Sequence, residues 1–236
     1  MQALILAGGF GTRLKTVVSE VPKPLAPIAN KPFLFWLITY LQQQGVTNFI
    51  FSLGYLHQQV ESFLKEEFPN LNYDCVIEKE PLGTGGAIKL CLEKANSEED
   101  VLIFNGDTFF NLNLKEFITS FQANDADCSI ALTAMENFDR YGSVTIDEKN
   151  IIKQFNEKKY CESGFINTGI IIFKKSVYLE KTKHLPNNFS FEKDFLEPNM
   201  QSLKVTGFIM NEYFVDIGIP EDYYKANKEL ENIIKV

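Results

Sequence analysis

The chain has 236 residues, 45% of them apolar and 13% aromatic, with 23 Lys and Arg against 31 Asp and Glu for a net charge of −8. So acidic a balance argues against nucleic acid or a membrane surface as partner, and so much apolar content excludes global disorder. The longest apolar run, Phe33 to Leu41, is too short to span a bilayer, and the length suits one large domain.

The elements come in a clear order. Residues 2–7 (QALILA) are a continuous apolar run ending in glycine, as in a strand buried on both faces. Phe33, Leu34, Leu37, Ile38 and Leu41 then fall at helical spacing, and Gly45 stops that helix. Strands are expected at 48–54, 73–78 and 101–107, with helices at 58–68 and 86–95 between them. Strands alternating with helices predict a parallel sheet covered on both faces. Beyond residue 107 the rhythm changes. Segments 128–135, 142–157 and 165–175 are strand-rich and partly alternating, and a helix over 220–234 closes the chain. No linker or repeat separates the two parts. The expected fold is a single α/β domain with a Rossmann-like, mostly parallel central sheet flanked by helices, and antiparallel strands over the cleft.

In open α/β sheets, ligands collect beyond the carboxyl ends of the parallel strands. Three features fall there: the Gly-rich stretch after the first strand, the PLGTGG loop (81–86) and Asn105-Gly106-Asp107. The first 31 residues hold Arg13, Lys15, Lys23 and Lys31 against Glu20 alone, so an acidic chain carries a local cationic site. The stretch is neither of two familiar phosphate loops. Gly9 and Gly11 are followed by Leu14 where a dinucleotide fingerprint needs a third glycine, and no Gly-Lys-Ser/Thr ending follows. Its chemistry still suits phosphate, because glycines let backbone N–H groups approach an anion and an arginine grips two oxygens at once. Lys23, set between Pro22 and Pro24, carries its charge on a restricted backbone. The four cysteines form no CxxC pair and read as buried free thiols. The N-terminal strand has no basic region before it, so a cytoplasmic protein is expected.

Leu6-Ala7-Gly8-Gly9-Phe10-Gly11-Thr12-Arg13-Leu14, followed by Pro22-Lys23-Pro24, resembles the signature of the sugar-1-phosphate nucleotidyltransferases. The resemblance continues in order through Glu80 to Gly86, Asn105-Gly106-Asp107, Tyr141-Gly142, Glu157-Lys158, Asn167-Thr168-Gly169 and Asp216-Ile217-Gly218. Within that family, GFGTRLK, EKEPLGTGGAI, NGDTFF, FDRYGSV and YFVDIGIPEDYY are most similar to the D-glycero-α-D-manno-heptose 1-phosphate guanylyltransferases. Relatives acting on mannose 1-phosphate or other sugar phosphates share the skeleton but less of this wording. Many carry a C-terminal extension, so the end of this chain soon after GIPEDYYKAN makes a second activity unexpected.

The resemblance implies transfer of a nucleoside monophosphate from a nucleoside triphosphate, with GTP favoured, to a sugar 1-phosphate, with release of pyrophosphate. Residues 1–127 would then form the nucleotide-binding half and 128–236 the sugar-binding half. Leu6, Ala7, Gly8 and Gly9 would hold the nucleoside through backbone groups, and Gly11, Thr12 and Arg13 the triphosphate. Pro81, Gly83 and Thr84 would pack around the base. Glu78 suits the two adjacent N–H donors of guanine, although an exposed strand-end carboxylate is an equal reading. Arg13, Lys23 and Asp107 would be catalytic, and Asp107 with Asp216 would hold Mg²⁺ as hard oxygen donors. Gly106, Tyr141, Gly142, Glu157, Lys158, Asn167 and Thr168 would line the sugar side. Many family members have proline after the Glu-Lys pair, whereas Lys159 follows here, which leaves the local loop shape open. A non-catalytic nucleotide or sugar sensor is the reading from another class, and all four of Arg13, Lys23, Asp107 and Asp216 being present speaks against it. The aromatic pairs Phe109-Phe110, Tyr213-Phe214 and Tyr223-Tyr224 suit either a core or a homo-oligomer interface.

Overall fold

The apolar run at the N-terminus is the centre of the sheet. The computed structural model describes residues 1–9, 18, 21–94 and 100–235. In chain order the strands are β1 (Gln2–Ala7), β2 (Pro27–Ile28), β3 (Lys31–Pro32), β4 (Asn48–Leu53), β5 (Asn72–Ile77), β6 (Val101–Asn105) and β7 (Thr108–Phe110). They are followed by β8 (Cys128–Phe138), β9 (Ser143–Ile146), β10 (Ile152–Phe155), β11 (Cys161–Phe173), β12 (Val205–Ile209) and β13 (Phe214–Asp216). The helices are α1 (Phe33–Gln43), α2 (His57–Glu67), α3 (Gly83–Lys94), α4 (Leu114–Ala123), α5 (Lys175–Thr182), a three-residue α6 (Glu197–Asn199) and α7 (Pro220–Ile233). A π-helical turn, Phe191–Leu196, precedes α6.

Strands β5, β4, β1 and β6 are parallel neighbours, so their carboxyl ends open on one edge. The antiparallel strands join the same sheet at β6. Strand β11 pairs with β6 through its second half and with β9 through Phe165 and Ile166, and β8 runs along most of its length. The ladder between β11 and β8 shifts register between Asn167 and Ile171. Ala3, Ile5 and Ala7 of β1 face a core closed by α1, α2, α4 and α7, while Leu4 faces one closed by α3, α5 and the π-turn. Burial on both faces is why β1 reads as uninterrupted hydrophobicity rather than as alternation. Each fully buried Leu or Phe contributes on the order of 2 kcal/mol.

Two elements differ from the sequence expectation. Helix α4 lies where the alternation assigns nothing. Asn113 caps it by accepting from the Glu116 N–H at 3.3 Å and donating to the Glu116 carboxylate at 2.7 Å, and Leu114, Phe117 and Phe121 bury one face. Helix α3 begins at Gly83 rather than at 86, so the last four residues of the PLGTGG stretch are helix, not loop. The backbone segment Asn187–Phe189 lies directly on that first turn. The N–H groups of Gly85 and Gly86 donate to the Phe189 carbonyl, and a Cβ on either glycine would overlap this segment. Of the aromatic pairs, Phe109 and Phe110 are buried in the core, whereas Tyr224 is exposed.

Candidate active site

Two cavities open at the carboxyl edge of the parallel strands and share a wall. The larger, about 600 Å³, lies over the ends of β1, β4 and β5 and the start of α3. The smaller, about 270 Å³, is walled by β9, β10, β11 and the segment around β13. Asn105 and Asp107, at the end of β6, line both. The order of the parallel strands therefore puts one aspartate at the seam.

The larger cavity is lined by Leu6, Gly8, Gly9, Glu78, Pro81, Gly83 and Thr84 among the expected nucleotide-side residues. Ala7 is not in its wall, because its side chain points into the core. Gly11, Thr12 and Arg13 lie outside the described residues. Gly8 fits because it has no side chain: a Cβ would collide with the Glu78 carboxylate. Glu78 is held in place rather than loosely exposed. Its Oε1 accepts from the buried Ser52 hydroxyl at 2.9 Å and its Oε2 from the Leu82 N–H at 3.3 Å. A carboxylate has about four lone-pair positions, so each oxygen keeps acceptor capacity toward the cavity. The Thr84 hydroxyl accepts from the Phe191 N–H at 3.1 Å, so this side chain secures the turn before the π-helix. Lys79 and Asn105, from two of the stretches that carry the resemblance, also line the cavity, as does Tyr55, which no motif singles out in the sequence.

The seam is built from three distant charges. Lys23 opens a short 3-10 turn between two prolines, with Pro22 extended before it. Its Nζ donates to Asp107 Oδ2 at 2.5 Å and to Asp216 Oδ1 at 3.2 Å, and its side chain is only 9% exposed. The two aspartates are brought together by a two-stranded antiparallel ladder. Asp216 pairs with Thr108 across β13 and β7, and the Ile217 N–H donates to the Asp107 carbonyl at 3.0 Å. Asp216 Oδ1 also accepts from the Gly218 N–H at 2.7 Å. A Cβ at Gly218 would sit 2.8 Å from both that oxygen and Lys23 Nζ, so glycine leaves the room the ion cluster needs.

The smaller cavity is lined by Tyr141, Gly142, Lys158, Asn167 and Thr168 of the expected sugar-side residues. Gly106 and Glu157 are not in its wall. Gly106 donates its N–H to the Leu6 carbonyl at 2.9 Å and packs against Ala7, so its smallness lets β6 close on β1. Glu157 is exposed. The Thr168 hydroxyl is turned into the core, donating to the Ala131 carbonyl at 2.9 Å, so this residue offers the cavity its backbone. Asn167 is braced at both ends, donating to Glu192 at 2.7 Å and accepting from the Gly169 N–H at 2.9 Å. Burial and the negative charge of Asp216 push the Tyr141 phenol above its ordinary pKa, so it is a neutral donor and acceptor at pH 7. Arg140, Asn156 and Glu192 line the cavity without having been legible as site residues.

Two adjoining cavities meet at a Lys-Asp-Asp cluster, an arrangement with room for two ligands side by side at one charged junction. The model of the nucleotidyl transferase family matches residues 2–233, and the chain belongs to that family. It is 45% identical, over 99% of its length and 100% of the relative's, to a D-glycero-alpha-D-manno-heptose 1-phosphate guanylyltransferase of Aneurinibacillus thermoaerophilus. A protein of the same name from Campylobacter jejuni subsp. jejuni serotype O:2 is 43% identical over 95% of this chain and 97% of that one. Among solved structures, HddC from Yersinia pseudotuberculosis complexed with GMP-PN superposes with a TM-score of 0.85 at 39% identity, covering 97% of this chain and 98% of that one.

Proposed function

We propose that this protein transfers GMP from GTP to D-glycero-α-D-manno-heptose 1-phosphate, giving the GDP-sugar and pyrophosphate, as a Mg²⁺-dependent cytoplasmic enzyme of cell-surface polysaccharide synthesis. The observation that carries the reading is the junction of the two cavities at Lys23, Asp107 and Asp216, in a chain matching two heptose 1-phosphate guanylyltransferases along nearly all of its length. Residues 1–127 supply the walls of the nucleotide cavity, and 128–236 most of the sugar cavity.

A phosphate oxygen of the sugar 1-phosphate attacks the α-phosphorus of GTP. A new P–O bond forms, the bond to the bridging oxygen of the β-phosphate breaks, and its electron pair leaves with pyrophosphate. The nucleophile is already anionic, so no general base is required. Bringing two polyanions together makes positioning and charge neutralisation the main tasks. Lys23 stands at the seam where the α-phosphate must lie, and Arg13 is assigned to the departing pyrophosphate. Glu78 turns its remaining acceptor capacity to the N–H edge of guanine.

The seam also fits a divalent cation. Two carboxylates converge on one ammonium group, so the site already favours positive charge, and both are hard oxygen donors. Two carboxylates would leave the other positions of an octahedral ion to phosphates and water, which is how Mg²⁺ is usually held. When bound to Asp107 and Asp216 it would neutralise phosphate charge. The test is pyrophosphate release with four nucleoside triphosphates crossed against heptose, mannose and glucose 1-phosphates. Release confined to GTP with the heptose phosphate is expected. Release with a different pair would overturn the specificity, and silence from every pair in a folded protein would overturn the reaction.

A further inference from the structure

The smaller cavity contains an arginine to which the sequence resemblance assigns no role and which no step above uses. Arg140 lies in the connection between β8 and β9, next to Tyr141, and forms part of the cavity wall. Its Nη2 donates to Asp222 Oδ2 at 3.0 Å, and its guanidinium lies 5.5 Å from the centroid of the Tyr141 ring. Asp222 belongs to the first turn of α7, which starts four residues after Asp216. One carboxylate and one aromatic ring thus fix the guanidinium, while its side chain stays 38% exposed.

We infer that Arg140 is a phosphate-binding residue for the sugar 1-phosphate, with Asp222 as its positioning residue. The inference rests on the reaction proposed above and names a group that grips one of its substrates. Two observations support it. First, the cavity wall carries Asp107, Asp216 and Glu192, so a dianionic ligand entering it meets repulsion unless cations face it. Second, Lys23 is engaged with both aspartates, which leaves Arg140 and the exposed Lys158 as the basic side chains of this wall among the described residues, and of the two it is Arg140 that a carboxylate and a ring hold in place. A planar guanidinium presents paired N–H donors that match two phosphate oxygens, and tethering one nitrogen leaves the rest of the fork available.

The test compares wild type with Arg140→Gln, Arg140→Lys and Asp222→Asn, each checked for an unchanged melting temperature. The expected result for Arg140→Gln is a KM for the sugar 1-phosphate raised about tenfold or more, with the KM for GTP within about twofold of wild type. Arg140→Lys keeps the charge and should recover part of the loss, and Asp222→Asn should give a smaller rise in the same KM. An unchanged sugar-phosphate KM in Arg140→Gln, or equal losses for both substrates, would overturn the assignment. Calorimetric titration of the sugar 1-phosphate into wild type and Arg140→Gln separates this from the proposed reaction. Binding lost only in the variant upholds Arg140 even if no pair of substrates turns over. Equal binding in the two overturns it even if the wild type is active.

Discussion

Lys23 illustrates how one side chain can hold a site in readiness. A buried ammonium bridging two carboxylates neutralises part of their mutual repulsion, and it occupies the side of the aspartates that a metal ion would use. On the proposed metal assignment, metal and ammonium would compete for the same oxygens. Removing the amine in Lys23→Ala should raise Mn²⁺ affinity several-fold in the absence of nucleotide, read from the free-ion paramagnetic signal, while turnover falls by about a hundredfold or more. Unchanged or weaker Mn²⁺ binding would show that the aspartates do not take metal from Lys23. Glu78 makes a second residue-scale prediction. Glu78→Gln keeps the shape but replaces one acceptor oxygen with an NH₂ group that cannot accept from guanine. The ratio of kcat/KM for GTP over ATP should fall by about tenfold. The role of Glu78 could be suspected from its residue type, but its anchoring by Ser52 and the Leu82 N–H depends on strand register across β4 and β5, which no local pattern encodes.

At the scale of elements, the sequence was most legible where one face or both faces of an element are buried locally. Strands β1, β4, β5 and β6 and helices α1 to α3 announce themselves by runs and periodicity, because each packs against its sequence neighbours. Helix α4 had a readable signal in the Asn113-to-Glu116 capping box and the apolar residues behind it. The π-turn, β12 and the β7–β13 ladder had none, since each is defined by partners far along the chain. The PLGTGG glycines were readable as a site and misread as a loop. Their smallness accommodates the segment Asn187–Phe189 on the first turn of α3, which ties the larger cavity to Glu192 of the smaller one three residues further on. Gly86→Ala would force a Cβ into the Asn187 carbonyl. It should destabilise the protein by about 1–3 kcal/mol in urea titrations, more than an alanine placed at an open helical position. A stability equal to wild type would mean that the segment moves aside without cost.

Across the whole molecule, the two cores contain ionisable groups held neutral by their surroundings, and this makes stability depend on alkalinity. Burial pushes the Cys91 thiol up to about 12 and the half-buried Cys75 thiol up to about 11, and burial raises Tyr40 and Tyr178 as well. In the unfolded chain the same thiols ionise near their ordinary value of 9.0. A raised folded pKa means that the stabilising contribution is complete below that unfolded value and is lost as pH climbs through the folded one. Below pH 8 these groups should leave stability flat. Between about pH 9 and 12 Cys91 alone should remove on the order of 1.4 kcal/mol per pH unit, and the tyrosines should steepen the fall above about pH 10. Unfolding midpoints in urea at pH 7, 8, 9 and 10 measure this directly. Replacing Cys91 with alanine introduces a cavity but removes its titration, so the variant should be less stable at neutral pH and show a shallower alkaline slope. Parallel pH curves for wild type and Cys91→Ala would assign the alkaline loss to the other buried thiols and the tyrosines instead.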